Sequence, residues 1–238
     1  MPKFLTAEWR HLLFLNYEVE PSVLTPYLPA GTALDFFQDR TFASLVGFRF
    51  LKTRLKGFPI PFHQHFDEVN LRFYVKRQGP DGEWRRGVVF IKEIVPKPAI
   101  TWVARACYGE KYVTTRMRHQ LRLDEPDPSA RYQWKHGGAW QTLGLTLDGP
   151  AEDLQPGSEE EFITEHYWGY SHTRGGNTVE YQVAHPRWRV RPASQPIAEI
   201  DLVSLYGQAF AEPLSQAPTS VLYAEGSPVA VYDGQKIA

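Results

Sequence analysis

The sequence predicts a β-rich α+β fold, an antiparallel β-barrel or curved sheet with a few peripheral helices. Three observations carry this. Apolar or alternating runs of strand length recur along the chain, helical signals are few and short, and polar turn segments separate them. With 42% hydrophobic and 14% aromatic residues among 238, the chain can bury a large core. No repeat or interdomain linker interrupts it, so residues 1–238 read as a single domain.

"HLLFLNYEV" (11–19) reads as a buried strand running into a short helix in "EPSVLTPYLP", with Pro21 at its start. "TFASLVGFRFL" (41–51) is a second apolar strand. "EVNLRFYVKR" (68–77) alternates, and "GPDG" (79–82) turns it into "WRRGVVFIKEIV" (84–95), a hairpin. Pro98 suits a first helical turn, "AITWVARACY" supplies its body and Gly109 its end. "DEPDPSA" (124–130) and "DGPAEDLQPGSEEE" (148–161) read as loops. "SEEEFITEHYWG" (158–169) reads as a helix, with Ser158 and Glu161 spaced as a capping box. "RGGN" (174–177) reads as a turn, and "TVEYQVAHPRWRV" (178–190) as a strand. "IDLVSLYGQAF" (200–210) reads as helix, and "SVLYAEGSPVAVY" (220–232) as a hairpin about Glu225-Gly226.

Composition narrows the function classes. Lys+Arg 26 against Asp+Glu 27 gives no electrostatic case for nucleic acid or an anionic membrane. The single cysteine, Cys107, excludes an internal disulfide and reads as a small core residue. No segment reaches bilayer length, so the expected location is the cytoplasm. His63 and His65 share a strand face if that segment is extended, but no third ligand is demanded, and no metal or other cofactor is expected. Neither a nucleophile elbow nor a phosphate-binding glycine loop is present.

Two stretches carry candidate chemistry. In 68–75, Val69, Leu71, Phe73 and Val75 face one way, while Glu68, Asn70, Arg72 and Tyr74 face the other. On an open sheet the polar row meets water; inside a barrel its carboxylate, amide and guanidinium orient a small polar ligand. On the partner strand, Val89, Ile91, Glu93 and Val95 share a face, which makes Glu93 a lone acid among apolar residues, with Arg72 and Arg105 as available partners.

The second stretch is Pro96-Lys97-Pro98. The prolines restrict the backbone about Lys97 beside a helix N-terminus. The helix dipole is worth about 0.3–1 kcal/mol at an exposed site. Full burial lowers a lysine pKa by roughly 3–5, so only burial makes such an amine nucleophilic near neutrality. A solvated loop lysine is the ordinary alternative.

"AEWRHLLFLNYEVEPSVLTPYLPAGTALD", "FDEVNLRFYV", "RRGVVFIKEIVPKPAI", "ITEHYWGY", "YQVAHPRW" and "AEGSPVAVY", in that order, resemble the YqjF-like family over nearly the whole chain. That family is similar, more distantly, to acetoacetate decarboxylase, which implies an acetoacetate-decarboxylase-like barrel with a central pocket. The decarboxylase forms a Schiff base through a lysine in a Pro-Lys-Lys motif. That motif resembles Pro96-Lys97-Pro98, so the resemblance places the reactive amine on Lys97 and an anion-binding arginine on Arg10. Pro98 stands where the second lysine would be, and the apolar "SLVGFRF" (44–50) stands where a glutamate would be.

The leading expectation is a protein binding a small acidic or carbonyl-bearing organic ligand in a barrel pocket. Arg10, Arg72 and Arg105 are the anion holders, Glu68 and Glu93 the orienting acids, and Asn70, Tyr112 and His185 the remaining contacts. The alternative is a Schiff-base lyase or decarboxylase using Lys97 with Glu93 and Glu68. A third is a structural or interaction protein with a packed interior. Homo-oligomerisation is left open.

Overall fold

The computed structural model describes residues 2–107, 111–173 and 175–237, with the side chains of 103–107 outside that description. In the first half the strands are β1 (Lys3–Glu18), β2 (Ala33–Leu34), β3 (Phe42–Leu55), β4 (Phe58–Pro59), β5 (Phe66–Gln78) and β6 (Trp84–Val95). Next come β7 (Tyr112–Thr114), β8 (Met117–Arg122), β9 (Ser129–His136), β10 (Ala139–Leu147) and β11 (Glu152–Asp153). The rest are β12 (Trp168–His172), β13 (Thr178–Ala184), β14 (Arg189–Glu199), β15 (Ser220–Tyr232) and β16 (Gln235–Lys236). The helices are α1 (Pro21–Leu24), α2 (Pro98–Cys107), α3 (Glu159–Thr164), α4 (Leu202–Tyr206) and α5 (Gln208–Leu214).

The long strands pair in the order β13-β12-β6-β5-β3-β1-β15, and β13 also pairs with β15, so the path returns on itself. This circuit is what gives the curved sheet an inside. Pairing is not wholly antiparallel as expected: β12 and β7 each run parallel to β6. The chain leaves β6 through α2 and a second sheet before returning at β12, and a crossover of that length permits parallel pairing.

The second sheet, β8-β9-β10-β14, lies against the outside of the circuit, and β14 bridges the two by pairing with both β15 and β10. Between the layers, Leu13, Leu45, Leu71 and Phe73 pack with Tyr132, Trp134 and Leu145, and with Tyr206 and Phe210 of α4 and α5. Approach is close: a Cβ at Gly47 would come within 2.6 Å of the Tyr132 ring. The outer face of β5 is therefore apolar because it is a core face. Its polar row has nowhere to go but inward.

Two bulges set which residues point inside. In β1 the register against β3 shifts between Arg10 and Leu13, where His11 adopts φ 58°. Trp9 and Leu12 both reach the interior as a result, while Leu13 and Leu15 join the outer core. Tyr132 donates its hydroxyl to the His11 carbonyl at 2.8 Å, and Tyr223 lies 2.7 Å from His11 Nδ1. In β6 the register shifts opposite Leu71 and Arg72. The simple alternation expected there does not hold: Val89 and Ile91 face the outer core, and Glu93 turns inward with Phe90.

Four element assignments differ from the sequence reading, the first being 178–190, read as one strand, which is divided at residues 185–188 between β13 and β14. Residues 220–232 form one continuous strand, because Gly226, at φ 80°, bends β15 without reversing it. The helix expected over 158–169 stops at Thr164, and Trp168–His172 is strand. Its Ser158 cap is present, with the side chain accepting from Glu161 N at 3.1 Å. Gly207, at φ 86°, divides the helix expected over 200–210 into α4 and α5.

Candidate functional site

The circuit encloses a cavity of about 130 Å³. That is smaller than the roughly 300–1,000 Å³ of drug-sized sites, so it has room only for a small molecule. Its wall is mostly apolar, with aromatic rings from Trp9, Phe48, Phe50, Phe66, Phe90 and Trp168 among aliphatic side chains such as Leu12 and Val46. Phe50 stacks on Phe66 at 4.6 Å, and Trp9 meets Phe48 edge-on at 5.4 Å. The polar lining is Glu68, Asn70, Arg72, Glu93, Tyr112 and His166.

Strand register assembles this cluster. Asn70 of β5 is opposite Glu93 of β6, and Glu93 is level with Tyr112 of β7. Asn70 Nδ2 donates to Glu68 Oε1 at 3.0 Å, and the Tyr112 hydroxyl donates to Glu68 Oε2 at 3.0 Å. Glu68 and Glu93 are each 2% exposed. Burial pushes the Glu68 carboxyl up to about 7, against the opposing pull of Asn70, Tyr112 and the Arg72 charge. Burial therefore favours the protonated form of this group, which can donate a hydrogen bond, over the ionised form, which only accepts. The Arg72 guanidinium stacks 5.2 Å from Phe14 and 5.5 Å from Tyr74, and donates to the Ile163 carbonyl at 3.2 Å.

A feature that sequence reasoning missed lies beside this cluster. His166, between α3 and β12, faces Asp35 with Nε2 3.3 Å from Oδ2. Arg86 Nε also reaches Asp35 Oδ2 at 2.6 Å, and Lys76 lies 3.5 Å from Oδ1. Burial raises Asp35, but the His166 and Arg86 hydrogen bonds and charges outweigh it and hold the carboxyl at about 2. Burial drives His166 down to about 4, so its ring is neutral. The histidine in "ITEHYWGY" carries no spacing signal, because its partner is Asp35, 131 residues away.

The structure brings together Glu68, Asn70, Arg72, Glu93 and Tyr112, and separates other residues considered with them. Arg10 lies on the far side of β1 from Trp9, held by Glu8 at 3.0 Å and the Gly226 carbonyl at 3.1 Å. His185 stacks on Trp188 at 4.2 Å and borders a different depression, with Lys3 and Pro228. Lys97 is half-buried and caps α2, its carbonyl accepting from Thr101 N at 3.2 Å; no lysine is among the described residues lining the cavity. Arg105 and Cys107 belong to α2, but their side chains lie outside the described residues. His63 is held by the Pro61 carbonyl at 2.8 Å, and the described residues contain no cluster of three groups suited to a metal ion. Among the described residues no helix is long and apolar enough to cross a membrane.

Comparison with known proteins agrees with this architecture. The model of DUF2071, described as an uncharacterized conserved protein, matches residues 6–228. "Uncharacterized protein YqjF" of Bacillus subtilis (strain 168) is 23% identical over 201 residues, 84% of this chain and 80% of that protein. Among solved structures, the enduracididine biosynthesis enzyme MppR complexed with pyruvate superposes with a TM-score of 0.70 at 11% identity, covering 100% of this chain and 91% of that one. Acetoacetate decarboxylase from Legionella pneumophila gives 0.67 at 14% identity, over 99% and 87%. These likenesses show an acetoacetate-decarboxylase-like fold.

Proposed function

Since the chain belongs to the DUF2071 family, we propose that it binds a small organic ligand, acidic or carbonyl-bearing, in the cavity of its curved sheet. One observation carries the reading: a buried cluster of Glu68, Asn70, Glu93 and Tyr112 closes one part of a largely apolar cavity. Polar groups are costly to bury, and a wall that needed only to pack would be apolar. The aromatic rings take the hydrocarbon part of the ligand, Glu68 in its protonated form donates to a carbonyl oxygen, and the Arg72 charge attracts a carboxylate. The pyruvate complex of MppR, on a similar fold, is in keeping with a ligand of this size.

A second reading is favoured by the position of α2. Ile100 lines the cavity, and Lys97 precedes it by three residues, about one helical turn. In that reading the Lys97 amine attacks a ketone, water leaves, and the resulting imine accepts the electron pair released when a neighbouring carbon–carbon bond breaks. Arg10 and His185, which stand away from the cavity, take no part in either reading.

Incubation with a panel of 2-keto and 3-keto acids, with and without borohydride, followed by intact mass measurement and by native mass spectrometry, tests both. The binding reading expects a reversible complex weakened at least tenfold in Glu68→Gln, and no covalent adduct. An adduct lost in Lys97→Ala transfers the assignment to the lyase. Neither a complex nor an adduct across the panel overturns both.

A further inference from the structure

Beyond the binding of a small carbonyl compound, the arrangement of Asp35 and His166 says what else the ligand carries. His166 is buried, its side chain 1% exposed, and it lines the cavity. Its two nitrogens have different fates. Nε2 faces the Asp35 carboxylate at 3.3 Å, and that carboxylate is already fixed by Arg86 at 2.6 Å. An ionised carboxylate accepts only, so Nε2 must carry the ring proton, and Nδ1 is left with a lone pair. Nδ1 is buried and has no hydrogen-bond partner among the described residues. The ring is held from its other sides by Tyr74 at 4.7 Å and Phe162 at 5.3 Å.

His166 is not alone in this. Asn70 Oδ1, an acceptor, and Trp9 Nε1 and Arg72 Nε, both donors, are also buried without a partner among the described residues, and all belong to residues lining the same cavity. Buried polar atoms are ordinarily satisfied, so four unpaired atoms on residues that line one cavity point to groups that a ligand supplies as it settles among them. The two donors suit a carbonyl or carboxylate oxygen. The two acceptors require a hydrogen that a simple ketone or carboxylate does not have.

We propose that the cavity selects a small hydroxy-carbonyl compound, a hydroxyl group close to a carbonyl or carboxyl, with the hydroxyl donating to His166 Nδ1 and Asp35 fixing the tautomer that allows it. This rests on the cavity being a ligand site, and adds the chemical class that the site discriminates. Asp35 acts as a positioning residue; it has no place in the cavity wall. A site built to hydrogen-bond a hydroxyl discriminates strongly against the analogue that lacks it, because its own buried group is then left unpaired.

Two matched pairs that differ in the hydroxyl alone test the proposal: 2-hydroxybutanoate against butanoate, and 3-hydroxybutan-2-one against butan-2-one. Dissociation constants are measured by titration calorimetry on the full chain and on His166→Phe, with circular dichroism as the check on folding. The expected result is that at least one hydroxylated member binds tenfold or more tightly than its partner, and that the preference falls to within about twofold in His166→Phe while the affinity for the deoxy compound is little changed. Equal binding within both pairs, or a preference that survives in His166→Phe, overturns the hydroxyl assignment and leaves the ligand site standing. Absence of binding by all four compounds overturns the assignment, and if the keto-acid panel fails too, the site itself is lost. Should His166→Phe not fold, nitrogen-15 spectra of the wild-type imidazole serve instead. The unprotonated Nδ1 resonance must move upfield with the hydroxylated compound and stay in place with its partner; movement with both, or with neither, counts against the proposal.

Discussion

Tyr112 donates its hydroxyl to Glu68 across 3.0 Å, joining β7 to β5 through a carboxyl that burial holds near neutrality in its titration. The bond matters most when Glu68 is ionised, because it favours the charged form. Tyr112→Phe should therefore cost about 1.5–3 kcal/mol at pH 8, and clearly less at pH 5, where the carboxyl is protonated. Urea denaturation at the two pH values is the measurement; an equal loss at both would disprove the coupling.

Glu68 itself sets a pH dependence of opposite sign to most carboxylates. Its folded value of about 7 lies above the ordinary 4.5, so its contribution to stability is complete below pH 4.5 and is lost as pH rises through 7. Relative to wild type, Glu68→Gln should gain stability between pH 5 and pH 8, by on the order of a few kcal/mol at most. A constant difference across that range would mean that the carboxyl is not raised.

Asp35 behaves the other way. Held at about 2 against an ordinary 3.8, it contributes stability that is present above pH 4 and lost as pH falls through 2. Asp35→Ala leaves Arg86, Lys76 and His166 without their common anion. The loss at pH 7 should lie at the lower end of about 3–5 kcal/mol, since Arg86 keeps 35% of its side chain exposed. Thermal melting at pH 7 and pH 3 checks it, with the smaller difference expected at pH 3.

Gly226 offers a structural test. Its φ of 80° disfavours any side chain, and a Cβ there would overlap the Trp9 carbonyl across the β1–β15 pair. Gly226→Ala should cost roughly 1–3 kcal/mol for the backbone and a similar amount for the overlap. Gly57, at φ 85° with open space around it, is the control: Gly57→Ala should show the first cost without the second.

Much of this was readable in the residues themselves. Alternation in 68–75 separated Val69, Leu71 and Phe73 from Glu68, Asn70 and Arg72, and the cavity holds the second set. What alternation does not report is a bulge, so Glu93 was grouped with Ile91, which the shift in β6 turns to the opposite face. Arg10 is a candidate through the resemblance alone, and in β1 it is held by Glu8 and the Gly226 carbonyl, away from the cavity wall. Strands β8 and β9 carry no clear strand pattern, because "MRHQLR" and "RYQWKH" place charged side chains among the apolar ones. Asp35 and His166 meet only through the fold, and no local pattern announces a pair so far apart.

β5 is packed on both faces, with hydrocarbon outside and the polar cluster inside. In a typical enzyme cleft, substitutions that retune recognition fall on loops; here they would fall on a central strand, yet on the side that contributes least to holding the layers together. Evolution, or an engineer, can thus exchange Glu68, Asn70 or Arg72 for other side chains of similar bulk and leave the adhesive surface of that strand untouched. The lining of the cavity can therefore be rewritten by changing alternate letters of one short word.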